Sequence, residues 1–188
     1  MGDEKEIMKA INLTNSSTEN KRRDLDFYPT PSNVTTALMD FLKLDPCRIW
    51  EPACGDGAMA KVIAKYGHNV YSSDIRESGY GVSGIDFLQV TEKWDAIITN
   101  PPFNISEAFI RHALKQARIV AMLLKSQYWH AAKRHILFQE NPPAYVLPLT
   151  WRPDFMSGER GGAPTMEVCW SVWVAGKTDT RYRLLSKP

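Results

Sequence analysis

The stretch most suited to chemistry is the tetrapeptide NPPF at residues 100–103, which directly follows the apolar run WDAIIT. Pro101 and Pro102 fix their backbone φ angles and offer carbonyl acceptors without amide donors, and the side-chain oxygen of Asn100 is another acceptor. Such a rigid set can hold an exocyclic amino group through its two hydrogens, while Phe103 stacks on a planar ring. The alternative is a plain strand exit, in which proline ends the ladder before the next helix.

A glycine-bearing loop, IWEPACGDGAMA, follows a predicted strand and opens a predicted helix. Gly55 and Gly57 have the spacing of the relaxed dinucleotide fingerprint, in which glycines allow close backbone approach and a helix N-terminus presents amides. Glu51 ends the first strand, and Asp74 ends the second about 20 residues later, where a carboxylate can accept hydrogen bonds from ribose hydroxyls. The pattern predicts a crevice for an adenosine-bearing cofactor; a turn that merely joins strand to helix is the alternative.

A third carboxylate, Asp86 in GIDFL, falls where a third strand is predicted to end. A carboxylate at this position can accept a hydrogen bond from an adenine amino group. The alternative is a helix cap or turn former, which is the commoner use of a lone aspartate.

Strands that alternate with helices are expected to position these residues. The spacing predicts an amphipathic helix from Ser32, with Ser32 as N-cap behind Pro31, and further helices at residues 56–66, 105–116 and 128–139. Short β-branched or apolar runs separate them, which predicts a parallel sheet covered on both faces. The carboxyl ends of such strands meet at one edge, where open α/β folds bind ligands.

We expect a flexible polar tail at residues 1–23 and one domain at residues 24–188, with an irregular insertion at about 150–165. Trp151, Arg152 and Arg160 in the insertion combine cations with an aromatic ring, as a strand-binding loop does; an ordinary surface loop is the alternative. Trp170 and Trp173 have opposite parity on a later predicted strand, so at most one faces solvent.

Composition narrows the class of protein further. The formal net charge of +2 does not by itself indicate a nucleic-acid partner. Cys47, Cys54 and Cys169 form no CxxC pair, so neither a metal site nor a disulfide framework is predicted, and a reducing cytoplasmic setting is expected. No apolar run approaches the roughly 20 residues that span a bilayer, so no membrane association is expected.

The motifs DFYPTP, EPACGDGAMA, SSDI, IDFL and NPPF occur in this order within residues 26–104. With them the sequence resembles the S-adenosylmethionine-dependent amino-methyltransferases of the DNA adenine-N6 type, especially the small phage and prophage forms. The resemblance implies an α/β, Rossmann-like methyltransferase fold: a mostly parallel seven-stranded sheet, with helices on both faces and the last strand, supplied by MEVCWSVWVAG, antiparallel.

The resemblance also implies residue roles, with the tetrapeptide of residues 100–103 as the catalytic loop. In it Asp74 holds the ribose and Asp86 with Phe87 borders the adenine of the cofactor S-adenosyl-L-methionine. The residues expected to bind this cofactor are Tyr28, Pro29, Thr30, Pro31, Glu51, Ala53, Gly55, Gly57, Asp74, Ile75, Asp86, Phe87 and Asn100. Those expected to contact the substrate are Phe103, Trp151, Arg152 and Arg160.

The implied reaction is direct methyl transfer to the N6 amino group of adenine in single- or double-stranded DNA. A base in a duplex must be flipped out first. Sequence selectivity is expected to be relaxed, because no separate recognition domain follows the tetrapeptide. The alternatives are transfer to an RNA base or a protein glutamine, and a non-catalytic module that binds nucleic acid or cofactor.

Overall fold

The structure, a computed structural model, describes residues 29–155 and 166–188. The expected tail at residues 1–23, Tyr28, Arg160 and residues 156–165 of the expected insertion lie outside the described residues. Of the expected insertion, residues 150–155 are described, and they form no helix and no extended strand.

The described chain forms four α-helices and eight strands. The helices are α1 (Ser32–Leu42), α2 (Ala58–Lys65), α3 (Ser106–Ala113) and α4 (His135–Glu140). The strands are β1 (Arg48–Glu51), β2 (Asn69–Asp74), β3 (Val82–Ser83), β4 (Trp94–Thr99), β5 (Ala117–Lys125), β6 (Tyr145–Pro148), β7 (Val168–Val174) and β8 (Arg181–Tyr182).

All eight strands belong to one sheet, in the order β3-β2-β1-β4-β5-β7-β6-β8. Only the two pairs that contain β7 are antiparallel. The mostly parallel Rossmann-like sheet is thus confirmed, as is an antiparallel strand in MEVCWSVWVAG. The predicted count of seven strands is wrong, because the two-residue strand β8, which is too short to show a sequence period, adds an eighth strand beyond β6. The last strand is therefore β8, which is parallel to β6, and the antiparallel β7 precedes it.

Helices cover both faces of the sheet because its central strands carry buried apolar side chains on both faces. On β5, Ala121 and Leu123 pack in one cluster with residues of α1 and α2, whereas Val120 and Met122 pack in the other with residues of α3 and α4. This alternation follows the two-residue period of a strand. Because β5 is packed on both faces, it is a rigid central strand, and its carboxyl end has a fixed position.

Two tryptophans on β7 link the sheet to its helices by hydrogen bonds, one on each face of the sheet. Trp170 and Trp173 are both buried, and their indole Nε1 atoms donate to the carbonyls of Val34 (3.1 Å) and Asn141 (2.8 Å). A buried indole normally finds such an acceptor. Neither ring faces solvent, because both faces of β7 are covered.

Three local predictions need correction. Pro31, not Ser32, occupies the N-cap position of α1, where its carbonyl accepts the Val34 amide. The predicted helix at residues 128–139 is instead two short 3₁₀ turns followed by α4. No strand ends at Asp86: β3 ends three residues earlier, and a 3₁₀ turn follows Asp86.

Candidate active site

A cavity of about 270 Å³ opens at the carboxyl ends of β1 and β4. The two strands are neighbours, and the chain order reverses between them, since β2 lies beyond β1 and β5 beyond β4. Ligands of open α/β sheets bind at this kind of switch point. Its walls include Glu51 from the end of β1, Asn100 after β4, and Thr30 from the segment before α1.

The Asn100 amide is oriented by a contact across the cavity. Its Nδ2 donates to Thr30 Oγ1 at 3.2 Å, and Thr30 is itself buried. No described residue donates to Asn100 Oδ1. The hydrogen bond thus uses the donor end of the amide and leaves its acceptor end for a ligand in the cavity.

The loop after Asn100 is held by two further hydrogen bonds. The Ile105 amide donates to the Pro102 carbonyl (3.2 Å), and Ser106 Oγ donates to the Phe103 carbonyl (2.9 Å). No donor in the described part of the chain reaches the Pro101 carbonyl. Pro101, Pro102 and Phe103 all line the cavity, so the predicted catalytic residues are brought together as a rigid acceptor loop.

Glu51 is the most unusual group in the cavity wall. It is 2% exposed, and its Oε2 has no hydrogen-bond partner among the described residues. Burial raises the pKa of the Glu51 carboxyl well above its ordinary value, and the carboxylates of Asp56 and Asp74 add to the rise. A buried acceptor of this kind is costly unless a donor, ideally a cation, satisfies it.

Asp74 is buried behind the cavity, where donors of this chain surround its carboxylate. Oδ2 accepts the Gly55 amide at 3.0 Å, and Oδ1 accepts the amide and Nε of Arg76 at 2.9 and 3.2 Å. Burial raises the pKa of Asp74, but the hydrogen bonds and charge of Arg76 and the Gly55 amide outweigh burial and lower it. The cavity wall itself is formed by Ile75 and Arg76.

Gly57 is required by a contact within the protein. Its φ of +76° is left-handed, and a Cβ there would lie 2.3 Å from carbon atoms of the Tyr80 ring. The loop that carries Tyr80 therefore packs directly on the turn before α2. Gly55 and Gly57 form this turn but do not line the cavity, whereas Ala53 does.

Asp86 and Phe87 lie apart from the cavity. Asp86 Oδ1 accepts the Leu88 amide at 3.0 Å, which is the capping alternative. Phe87 is 2% exposed and packs edge-on against Trp50 in the core. Pro31 likewise lies outside the cavity wall, whereas its neighbour Pro29 is part of it.

The predicted substrate contacts Trp151 and Arg152 line a second cavity, of about 390 Å³, at the ends of β5 and β6. Arg152 is exposed and forms an ion pair with Glu167 at 2.6 Å. The first cavity does not include either residue. Of the predicted substrate residues that the structure describes, only Phe103 therefore lies with Asn100.

The sequence interpretation assigned no role to Cys54 and Arg76, which line the cavity, or to Lys125, which lies outside the cavity wall beside Phe103. Cys54 lines the wall, and burial raises the pKa of its thiol to about 11. Arg76 also lines it, beside Asp74. Lys125, at the carboxyl end of β5, places Nζ 4.0 Å from the centroid of the Phe103 ring. The rule that strand ends meet at one edge was the signal that could have found Lys125.

Comparison with known proteins establishes the fold. No protein-family model and no curated protein matches the sequence. A structure from Pyrococcus horikoshii, of a protein proposed to be an RNA methyltransferase, shares 14% identity at a TM-score of 0.65, covering 78% of this chain and 85% of that one. A type I restriction-modification methyltransferase subunit from Streptococcus thermophilus shares 11% identity at a TM-score of 0.65, covering 84% and 47%.

A third similar structure, magnesium protoporphyrin IX methyltransferase from Synechocystis with bound S-adenosylmethionine, has 21% identity and a TM-score of 0.51, covering 74% of this chain and 76% of that one. The chain spans about half the length of the Streptococcus subunit. These likenesses define the architecture as that of class I methyltransferases.

Residues 29–155 and 166–188 were searched for a membrane-spanning helix and for a metal-binding group. No helix there is both long enough and apolar enough to cross a membrane. No group of three or more His, Cys, Asp or Glu side chains there could hold a metal ion.

Proposed function

We propose that this protein transfers a methyl group from S-adenosylmethionine to the exocyclic amino nitrogen of a nucleobase, with adenine N6 in DNA as the substrate. The observation that carries the proposal is the Asn100 amide, held by Thr30 with its acceptor end available, in one cavity with Glu51. The family resemblance of the NPPF and EPACGDG motifs supports the choice of an amine in DNA.

The acceptor set matches an amino group. An exocyclic amine has two hydrogens, and Asn100 Oδ1 and the Pro101 carbonyl supply two acceptors on a loop whose shape is fixed by proline. Hydrogen bonds to both hydrogens localise the nitrogen lone pair, which is otherwise delocalised into the ring. The fixed acceptors make this contribution without reorganising during the reaction.

The cavity also has features that suit S-adenosylmethionine, which supplies an electrophilic methyl group on a sulfonium when bound. The partnerless Glu51 Oε2 would accept a hydrogen bond from the cofactor's ammonium, and a nearby cation would restore the ionised carboxylate. Thr30 and Pro29 would border the same end. Asp74 would accept ribose hydroxyls once Arg76 shares or yields its carboxylate oxygens.

In the proposed step the adenine N6 lone pair forms the new N–C bond as the methyl–sulfur bond breaks. One N6 proton then passes to water, which leaves N6-methyladenine. No covalent enzyme intermediate takes part. Cys54, the thiol in the cavity, stays protonated at neutral pH because burial raises its pKa to about 11, so it is not the nucleophile.

The proposed target is a base within a nucleic-acid polymer. Phe103 lies at the cavity and would stack on a base that has left its helix. The similarity to both a restriction-modification subunit and a protein proposed to act on RNA is compatible with a nucleic-acid substrate. Transfer to an RNA base or a glutamine amide would use the same acceptors, and a binding module would use the cavity without turnover.

The test is to incubate the protein with methyl-labelled S-adenosylmethionine and, separately, unmethylated DNA, RNA and cell protein, and to identify the labelled unit after digestion. We expect N6-methyladenine in DNA, and its loss in Asn100→Ala. The matched control is Asn69→Ala, an exposed asparagine at the opposite edge of the sheet, which should keep wild-type activity. Label in RNA or protein alone would refute the DNA substrate, and cofactor binding without any transfer would indicate a binding module.

A further inference from the structure

Lys125 is the one cation that the described structure places over the ring of the catalytic loop. It ends β5, next to β4 in the sheet, and its Nζ lies 4.0 Å from the Phe103 ring centroid. Phe103 lines the cavity, whereas Lys125 does not. The lysine therefore contacts the Phe103 ring from outside the cavity wall.

The lysine is anchored through its backbone and has no acidic partner among the described residues. Its backbone pairs with Val168 on β7, so the residue starts from a rigid strand end. Its side chain is half-buried, and no carboxylate in residues 29–155 or 166–188 forms an ion pair with it. Its strongest defined contact is therefore the Phe103 ring, where an ammonium is attracted to the negative face.

We propose that Lys125 is a positioning residue for the target base. Its ammonium holds the Phe103 ring from one face, so that the opposite face is presented to a base that enters the cavity. A cation on one face also draws π density toward itself, which weakens the repulsion between the other face and the π system of a purine. The inference rests on the proposed function, because it takes a flipped base as the stacking partner.

A phosphate contact is the competing role for a lysine at this edge, and it makes different predictions. A lysine that binds phosphate contributes to the salt dependence of binding and has no effect on how the base stacks. A lysine that positions Phe103 changes base stacking and leaves the salt dependence unchanged.

The test uses an oligonucleotide in which 2-aminopurine replaces one methylated adenine, and the same oligonucleotide with adenine for kinetics. Lys125→Met keeps the apolar stem and removes the charge, whereas Lys125→Arg keeps a cation that stacks on aromatic rings. Lys65→Met, an exposed lysine at the end of α2, is the control. Thermal unfolding shows that each variant is folded.

We expect 2-aminopurine that is quenched by stacking in the wild-type complex to become brighter in Lys125→Met. The KM for the oligonucleotide should rise about fivefold, with a smaller change in kcat, as expected for the loss of a modest cation–π contact. Lys125→Arg should restore both readings to within about twofold. The Lys65→Met control should match the wild type.

Unchanged fluorescence in Lys125→Met would overturn the inference, as would a salt slope that falls by about one while the fluorescence stays the same. Failure of the proposed function looks different: the wild type itself would then neither methylate adenine nor change the fluorescence. That outcome would remove the target base and overturn the positioning role with it.

Discussion

Replacing Thr30 by valine tests whether the orientation of the Asn100 amide matters. Valine has nearly the same shape as threonine but cannot accept the Asn100 Nδ2 hydrogen bond, which spans 3.2 Å. Loss of the bond, with a part-buried donor left unmet, costs about 1–3 kcal/mol. The amide can then turn its NH₂ group toward the substrate amine, where it repels the N–H groups that Oδ1 would accept.

If the whole cost raises the free energy of the transition state for methyl transfer, Thr30→Val should lower kcat/KM by about 5- to 150-fold. The measurement is methyl transfer to a labelled oligonucleotide at saturating cofactor. Thr30→Ser, which keeps the hydroxyl, should stay within about threefold of the wild type. The reasoning is refuted if the valine variant reacts at the wild-type rate, or if the serine variant is equally impaired.

Three other predictions follow from the cavity and its supports. Because the pKa of the Glu51 carboxyl is raised, its contribution to stability is present below its ordinary pKa of 4.5 and is lost as pH rises toward the raised value. Glu51→Gln should therefore melt at a higher temperature than the wild type at pH 7 and at the same temperature near pH 4. Calorimetry should show that this variant binds cofactor at least about tenfold more weakly. Gly57→Ala should lower the melting temperature more than Gly67→Ala, since both positions are left-handed but only the first Cβ meets Tyr80; equal losses would contradict this. Cys54→Ala should keep methyl transfer within a few fold, and complete loss of turnover in a folded variant would indicate a covalent role.

The sequence was most informative where a local rule is strong. The end of an apolar strand is easy to recognise, and parallel strands end at one edge, so Glu51 and Asn100 could be predicted to meet. The structure places both in one cavity. The sequence motifs that contain Glu51 and Asn100 indicated the chemistry, whereas the amino-acid composition of the chain did not.

Prediction was poorer where long-range contacts or local competition decide the structure. At residues 128–139 the periodicity favours a helix, but the Tyr128 carbonyl accepts Arg134 Nη1 at 2.8 Å, where a continuous helix would use a backbone amide. Asp86 caps a short turn because its carboxylate can reach a nearby amide. The packing of Tyr80 on Gly57 joins two loops that no sequence period connects.

The most direct test of the central claim compares two oligonucleotides that differ in one exocyclic group. One carries adenine at a site identified in the labelling experiment, and the other carries hypoxanthine, which has an oxygen in place of the amino group. We expect single-turnover methyl transfer to the adenine strand and none above background to the hypoxanthine strand. Equal labelling of the two strands would contradict it, because the methyl group would then be attached to some atom other than the amine that Asn100 and Pro101 are proposed to hold.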